Sequence, residues 1–320
     1  MTALGDLLRF AVTREAAVRG GRPRDGSRRD GRQPLVKALS PSYGVGMELA
    51  EIRKYPVKSV SGRAVDSAVV EPWGLAGDRR WAVVDEIGDL HWVGEHPRLL
   101  SVVASATAED GLLLDAPGLP QLKIPPATGE SVPVGGFVEL DTAVLADSDA
   151  HAWFSRLLGK PARLVWLDDP GRCAVPAANG GLPGDVVSFA GTAPILLTSR
   201  SSLRRLDDWI LEGALERQED PPGPLDMSRF RPNLVIDGAP PYAEDDWREI
   251  RIGSLAFRFT EHCDRCATTT YDPVTIEKGR EPLRTLARHR RWNGLTWFGI
   301  RLVPRGRGEL RVGDPVTVLA

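Results

Sequence analysis

The chain has 320 residues, 42% hydrophobic and 26% charged, enough for two domains whose cores need no external staples. Its formal net charge of −2 gives no reason to expect a general nucleic-acid binder. No apolar run approaches the roughly 18 residues of a spanning helix, and no signal-peptide core follows the N-terminus, so a cytoplasmic protein with no membrane association is expected.

Residues 1–46 differ from the rest. Eight Arg and Lys37 face four acidic residues there, and few side chains can build a core. Such a segment cannot bury enough apolar surface to offset its ordering entropy, so it reads as a disordered extension, with Met47 a natural point of initiation. From Met47 the texture is β-rich. Strands are expected at Glu48–Tyr55, Ala64–Glu71 and Arg80–Asp85, the last turning at Glu86–Asp89 into a return over Leu90–Val93. Further short strands follow at Leu99–Ser105, Gly111–Leu114 and Phe137–Leu140. A helix opens after Asp147 or Ser148, repeats Ala150, Trp153, Phe154, Leu157 and Leu158 at helical spacing, and stops at Gly159. Pro161–Leu167 is a strand, and the Gly/Pro/Asp-rich stretch from Asp168 to Gly184 is a connecting or site-lining loop.

In the second half, Ala193–Leu197 is a strand leading into a helix capped by Ser199, Ser201 or Ser202 and running to about Glu212. Strands are expected at Asn233–Ile236, Glu249–Ile252 and Leu255–Thr260, the last delivering Cys263 and Cys266 to its far end. Ala267–Asp272 reads as another strand and Glu281–Arg290 as a helix. Strands at Trp297–Pro304, Glu309–Val312 and Pro315–Leu319 finish the chain. Many short strands with few helices point to a mostly-β or α+β fold built of barrels or closed sheets.

Three cysteines exclude a disulfide framework and leave too few ligands for an iron–sulfur cluster in this chain. Two form the C-x-x-C pair Cys263 and Cys266. A thioredoxin-like pair needs a helix after the motif, whereas Thr268-Thr269-Thr270-Tyr271 favours a strand. A zinc site needs two more ligands that no second C-x-x-C or H-x-x-x-H supplies. Two ordinary half-buried thiols are the bland alternative. Arg265 and the neighbouring threonines favour a lowered thiol pKa and a soft metal. Lys58 with Ser59, Arg79 with Arg80, and Arg231 with Asn233 lie near expected strand ends. There a guanidinium could grip a phosphate by two parallel bonds, although each is individually more common as a solvated surface group.

Tyr55-Pro56-Val57-Lys58-Ser59, Gly77-Asp78-Arg79-Arg80-Trp81, Arg229-Phe230-Arg231-Pro232-Asn233, Tyr242 through Trp247, Cys263-Asp264-Arg265-Cys266 and Val312-Gly313-Asp314-Pro315-Val316 follow one another in the order seen in MOSC proteins. The chain therefore resembles an N-terminal MOSC β-barrel domain (47–167), a connection (168–190) and a β-barrel MOSC domain (191–320) with a few peripheral helices. It is similar to the mitochondrial amidoxime-reducing component and its bacterial relatives. That resemblance implies a molybdenum cofactor, with Cys266 as the protein ligand to the metal and the catalytic residue. Lys58, Ser59, Arg79, Arg231 and Asn233 match positions that bind the pterin and its phosphate, and Thr198, Ser199, Arg200, Asp264 and Arg265 line the same pocket. The implied activity is reduction of N-hydroxylated small molecules with electrons from a separate donor protein. A cofactor carrier or sulfur-transfer role is the alternative, although the chain has no room for a pyridoxal-phosphate-dependent desulfurase domain. Two departures stand out. Trp92-Val93-Gly94-Glu95-His96-Pro97 replaces a Thr-Ala-Arg-Gln-rich stretch, and Arg301 stands where the mitochondrial reductases have a tyrosine.

Overall fold

The computed structural model describes residues 46–107, 109–136 and 140–320. The Arg/Gly-rich extension up to residue 45 and residues 137–139 of one expected strand lie outside them. The fold is mostly β with three α-helices among the described residues. Its largest sheet has nine strands. Its main path runs Val316–Val318, Glu249–Ile252, Leu255–Asp264, Leu295–Pro304, Ile195–Ser199, Leu234–Asp237, Glu48–Lys54 and Arg63–Val65. Neighbours on this path are antiparallel except Ile195–Ser199 beside Leu234–Asp237, where Leu197 lies opposite Leu234.

The opening strand Glu48–Lys54 thus pairs with a strand nearly two hundred residues later. It buries both Leu49 and Ile52, although residues three apart on a regular strand face opposite sides. A β-bulge between Leu49 and Glu51 supplies the extra step that turns Ile52 inward. Both join Leu197, Leu234, Ile250, Phe257, Ile300 and Leu302 in one apolar core.

A second core, made of Trp81, Leu99, Leu112, Leu114 and Leu164 with the helix, fills the N-terminal half. The helix α1, Ser148–Leu158, begins where Asp147 accepts a bond from the Ala150 N–H and ends at Gly159 in the left-handed conformation. Its apolar stripe Ala150, Trp153, Phe154 and Leu157 is buried, each large side chain contributing about 1.5–3 kcal/mol. A four-stranded sheet (Trp81–Val84, Arg163–Trp166, Thr142–Leu145, Ser131–Pro133) and two three-stranded sheets complete the architecture.

Several expectations need correction. The strand expected over Ala64–Glu71 breaks at Asp66 into Arg63–Val65, paired to the large sheet, and Ser67–Glu71, paired to Gly308–Arg311. The expected strand from Leu99 begins as a 3₁₀ turn, Pro97–Ser101, because Pro97 at its first position presets a helical φ; only Val103–Ala106 is extended. The helix α2, Arg200–Glu216, outruns its expected end by four residues, and α3 covers Leu283–His289. Ala267–Thr270 is a 3₁₀ turn rather than a strand. There the hydroxyls of Thr269 and Thr270 donate to the carbonyls of Cys266 and Ala267, three residues back, which holds the chain in a turn that β-branched residues otherwise disfavour.

Candidate functional site

Residues 55–58, just past the opening strand, lie along residues 78–81. The Arg79 N–H donates to the Tyr55 carbonyl (2.7 Å), the Trp81 N–H to Pro56 (3.1 Å) and the Lys58 N–H to Trp81 (2.8 Å). Asp78 locks the corner: one carboxylate oxygen accepts from the Tyr55 N–H (2.6 Å) and the other from the Arg79 guanidinium (2.6 Å). Arg79 also donates to Asn233 Oδ1 (3.0 Å) and to the Arg231 carbonyl (3.0 Å). The start of Leu234–Asp237 is thereby brought to the same point. Asn233 ties strands together, accepting from the Leu196 N–H (3.2 Å) and donating to the Arg53 carbonyl (3.3 Å).

The Tyr55 ring is sandwiched, with the guanidinium carbons of Arg79 and Arg231 at 4.6 and 4.5 Å from its centre. The Lys58 ammonium adds a third cation, donating to the Phe189 carbonyl (2.8 Å). Burial, and then repulsion from Arg79 and Arg231, lowers the Lys58 pKa to about 8. Burial followed by repulsion from Arg79 brings Arg231 down to about 10. One terminal nitrogen of Arg231 is buried without a hydrogen-bond partner. Ser59, Arg79 and Arg231 all adopt left-handed φ values of 67°, 46° and 56°. This conformation costs non-glycine residues on the order of 1–2 kcal/mol each. Strain, repulsion and an unpartnered donor therefore converge on one pocket.

The thiols stand on its other side. The strand Leu255–Asp264 carries two register shifts, between Phe259 and Glu261 and between His262 and Asp264. These bulges re-aim the side chains around Cys263. Cys263 is buried and its sulfur accepts from the Arg265 guanidinium at 2.8 Å, while the same guanidinium donates to the Phe230 carbonyl (2.7 Å). Cys266 is exposed, its sulfur 3.4 Å from the Thr268 hydroxyl. The guanidinium thus serves the inner thiol, and the outer thiol is left accessible. Cys266 directly precedes the Ala267–Thr270 turn, so the extended continuation that argued against a thioredoxin-like setting is not present.

Arg301 bridges Glu261 (2.5 Å) and Asp264 (2.8 Å). Burial opposes its charge, but Cys263, Asp264 and Glu261 outweigh it and raise its pKa. A cavity of about 280 Å³ is lined by Tyr55, Ser61, Arg231, Thr268 and Tyr271 among others, and Thr268 links it to Cys266.

Lys58, Arg79, Arg231, Asn233 and Arg265 are therefore gathered, with Asp264 and Cys266 at the edge, while Ser59 is buried next to Lys58 in the chain. Thr198, Ser199 and Arg200 bond to other groups. The Thr198 hydroxyl donates to the Met227 sulfur (3.3 Å), Ser199 bonds Ser201 (2.6 Å), and Arg200 faces Asp237 (3.7 Å). The parallel register explains the position of Arg200: Leu196 meets Asn233, the strand runs on to Ser199, and Arg200 opens α2 beyond its far end. Sequence reasoning did not single out Tyr55 or Asp78 as site residues. Their signal lay in their neighbours: an acid flanked by Gly77 and Arg79, and an aromatic just before Pro56.

Fold and geometry together describe a β-rich protein with a cationic pocket edged by an accessible thiol. Residues 46–161 match the MOSC N-terminal beta barrel domain and residues 184–317 the MOSC domain. The chain is 32% identical over 292 residues to mitochondrial amidoxime-reducing component 1 of Homo sapiens, covering 85% of this chain and 82% of that one. It is 31% identical over 268 residues to a molybdenum cofactor sulfurase of Oryza sativa subsp. japonica, covering 80% of this chain but 32% of the relative. Among solved structures, the YuaD protein of Bacillus subtilis aligns with a TM-score of 0.36 and 10% identity over 85% of this chain and 94% of that one. The chain belongs to the MOSC family, with an N-terminal MOSC β-barrel domain followed by a MOSC domain. No helix among the described residues is long and apolar enough to cross a membrane.

Proposed function

We propose that this protein is a molybdenum-cofactor oxidoreductase that reduces N-hydroxylated small molecules with electrons from a separate protein. The observation that carries the reading is the half-buried cluster of Lys58, Arg79 and Arg231, whose mutual repulsion and unpartnered Arg231 nitrogen are relieved by a bound anion. The cofactor ends in a phosphate, and a guanidinium offers it parallel donors. Arg231 and Lys58 hold that phosphate. Arg79, already bonded to Asp78, Asn233 and Arg231, fixes the floor beneath it. Cys266 supplies the thiolate for the metal, since it is the exposed member of the pair and Cys263 is occupied by Arg265. When bound, the metal supplies two-electron exchange and a coordination site for the substrate oxygen. The cavity bounded by Tyr55, Thr268 and Tyr271 receives the substrate and limits its size.

The likeness to a cofactor sulfurase supports a second reading, in which the pocket carries the cofactor without turning over a substrate. Metal and pterin analysis of the purified protein tests what the two share. Turnover of an amidoxime by cofactor-loaded protein with a reduced one-electron donor separates them. Bound cofactor without turnover favours the carrier; no cofactor after loading overturns both.

A further inference from the structure

A second group of metal-binding side chains lies in the segment that departs from the family pattern. After the strand Trp81–Val84, the chain turns at Asp85 and returns so that the His91 N–H donates to the Val83 carbonyl (2.8 Å). It then folds back on itself. The N–H groups of Glu95 and His96 both donate to the Trp92 carbonyl (3.2 and 2.9 Å), and the Leu99 N–H donates to His96 (3.0 Å) as the Pro97–Ser101 turn begins. This brings the His96 ring edge-on to His91 with centres 4.5 Å apart. One donor atom from each of His91, Glu95 and His96 lies within 4.8 Å of the other two.

Packing does not account for this arrangement. His91 is 5% exposed, and its Nε2 is buried with no hydrogen-bond partner. Leaving such a group unmatched costs about 1–3 kcal/mol. Burial, then Lys160 and His96, holds the His91 pKa down to about 4, and burial with Lys160 lowers His96. Both shifts favour the neutral imidazole, the form with a lone pair to offer a metal. Among the facing charges, Lys160 opposes a cation while Asp85 and Glu95 favour one. Lys160 is exposed, so solvent screens it, whereas Glu95 enters the coordination sphere.

We propose that His91, Glu95 and His96 bind one divalent transition-metal ion of the zinc class. Two imidazoles and a carboxylate form a common donor set for this class, and leave a fourth position for water. Tetrahedral bonds of about 2.0–2.2 Å bring ligand atoms to roughly 3.4 Å of each other, so atoms now within 4.8 Å must close by up to about 1.4 Å. The exposed Glu95 side chain makes most of that movement. The ion staples the turn between residues 91 and 96. Val93, inside the turn, and Leu100, just after it, pack on Tyr271, which lines the cavity beside the thiol. The site therefore fixes one wall of that cavity, and it is independent of what the main pocket holds.

The test uses the full chain, stripped with a chelator and titrated with Co²⁺ and then Zn²⁺ at pH 7.5. The expected result is one equivalent of Co²⁺ with d–d absorption and no thiolate charge-transfer band, and a Zn²⁺-dependent rise in melting temperature. His96→Ala should weaken binding more than about 100-fold and Glu95→Gln about 10- to 100-fold, while Cys266→Ser leaves it unchanged. Because His91 is buried, His91→Ala can fail to fold; the partly exposed His96 and the exposed Glu95 carry the decision. No saturable binding at micromolar metal overturns the proposal. So does binding that His96→Ala leaves intact, or a thiolate band that Cys266→Ser removes.

Discussion

The two sides of the pocket solve opposite electrostatic problems. On one side Arg79 and Arg231 lie over the Tyr55 ring and Lys58 adds a third cation, with a single buried carboxylate, Asp78, among them. On the other, charges alternate: Arg265 on Cys263, and Arg301 between Glu261 and Asp264. Glu261 is further held by Asn179 (3.0 Å) and Thr192 (3.0 Å), so the charges of the Glu261–Arg301–Asp264 group are matched within the protein, although Arg265 Nε is buried without a hydrogen bond. On the cationic side the charges are not matched: Lys58, Arg79 and Arg231 share one carboxylate, and Lys58 is pushed toward neutrality. An incomplete charge balance marks where a ligand's charge belongs. A complete one marks a scaffold, here one that presents an accessible thiol.

The sharpest way to break this contrast is to remove the one acid that holds the cationic side together. Asp78→Ala leaves the Arg79 guanidinium without its counter-charge and the Tyr55 N–H without its acceptor, both nearly inaccessible to water. The expected loss is about 3–5 kcal/mol of unfolding free energy, measured by denaturant titration. A loss under 1 kcal/mol would mean that the corner is held by something else.

Arg231 and Arg79 should then part company. Arg79 has three protein partners and Arg231 has an unpartnered nitrogen, so Arg231→Met should weaken binding of a phosphate monoester by about 1.5–3 kcal/mol, or roughly 10- to 150-fold. The unliganded protein should melt no lower, since a buried repulsion is relieved. Arg79→Met should lower the melting temperature before its effect on binding can be read. Calorimetry and thermal melts on the two variants separate these outcomes, and equal losses of stability would erase the proposed distinction.

How much of this was legible in the sequence depends on distance along the chain. The α1 helix was, because its cap, stripe and stop are all local. The cationic residues stood out as Arg and Lys near Pro and Gly, yet their meeting rests on the pairing of Glu48–Lys54 with Leu234–Asp237, which no local pattern announces. Thr198, Ser199 and Arg200 illustrate the same limit. Thr198 and Ser199 share a strand with Leu196, which does touch Asn233, but only the parallel register shows that Arg200, which opens α2, follows its other end. The Thr268–Tyr271 run misled for another reason: β-propensity reports packing on a pleated surface, whereas here two hydroxyls bond backwards and close a turn.

A smaller effect concerns Lys58. Its pKa in the empty protein is about 8, below its ordinary value of 10.5, so folding releases a proton between those values. The empty protein therefore gains stability as pH rises from about 8 toward 10.5. An anion in the pocket favours charged Lys58, so its affinity must fall as pH climbs through 8. Sulfate keeps its charge over this range and is the suitable probe. Its binding should weaken about tenfold between pH 7 and 9, and Lys58→Met should flatten that dependence. A pH-independent affinity in the unmodified protein would place the anion away from Lys58.

The smallest expected change in stability falls at the residue with the largest proposed role. Cys266 is exposed and its sulfur has one contact, the Thr268 hydroxyl, so Cys266→Ser should shift unfolding free energy by no more than about 0.5 kcal/mol. Cys263 is buried, and its sulfur accepts a charged donor at 2.8 Å. The shorter serine side chain loosens that bond, and Cys263→Ser should cost about 1–2 kcal/mol. Metal retention after cofactor loading should run the other way, absent in Cys266→Ser and largely kept in Cys263→Ser. Measuring metal by elemental analysis and stability by denaturant on the same preparations gives each variant two coordinates. If the inner thiol were the ligand, Cys263→Ser would lose both metal and stability while Cys266→Ser lost neither, and the accessible thiol would have no part in the chemistry.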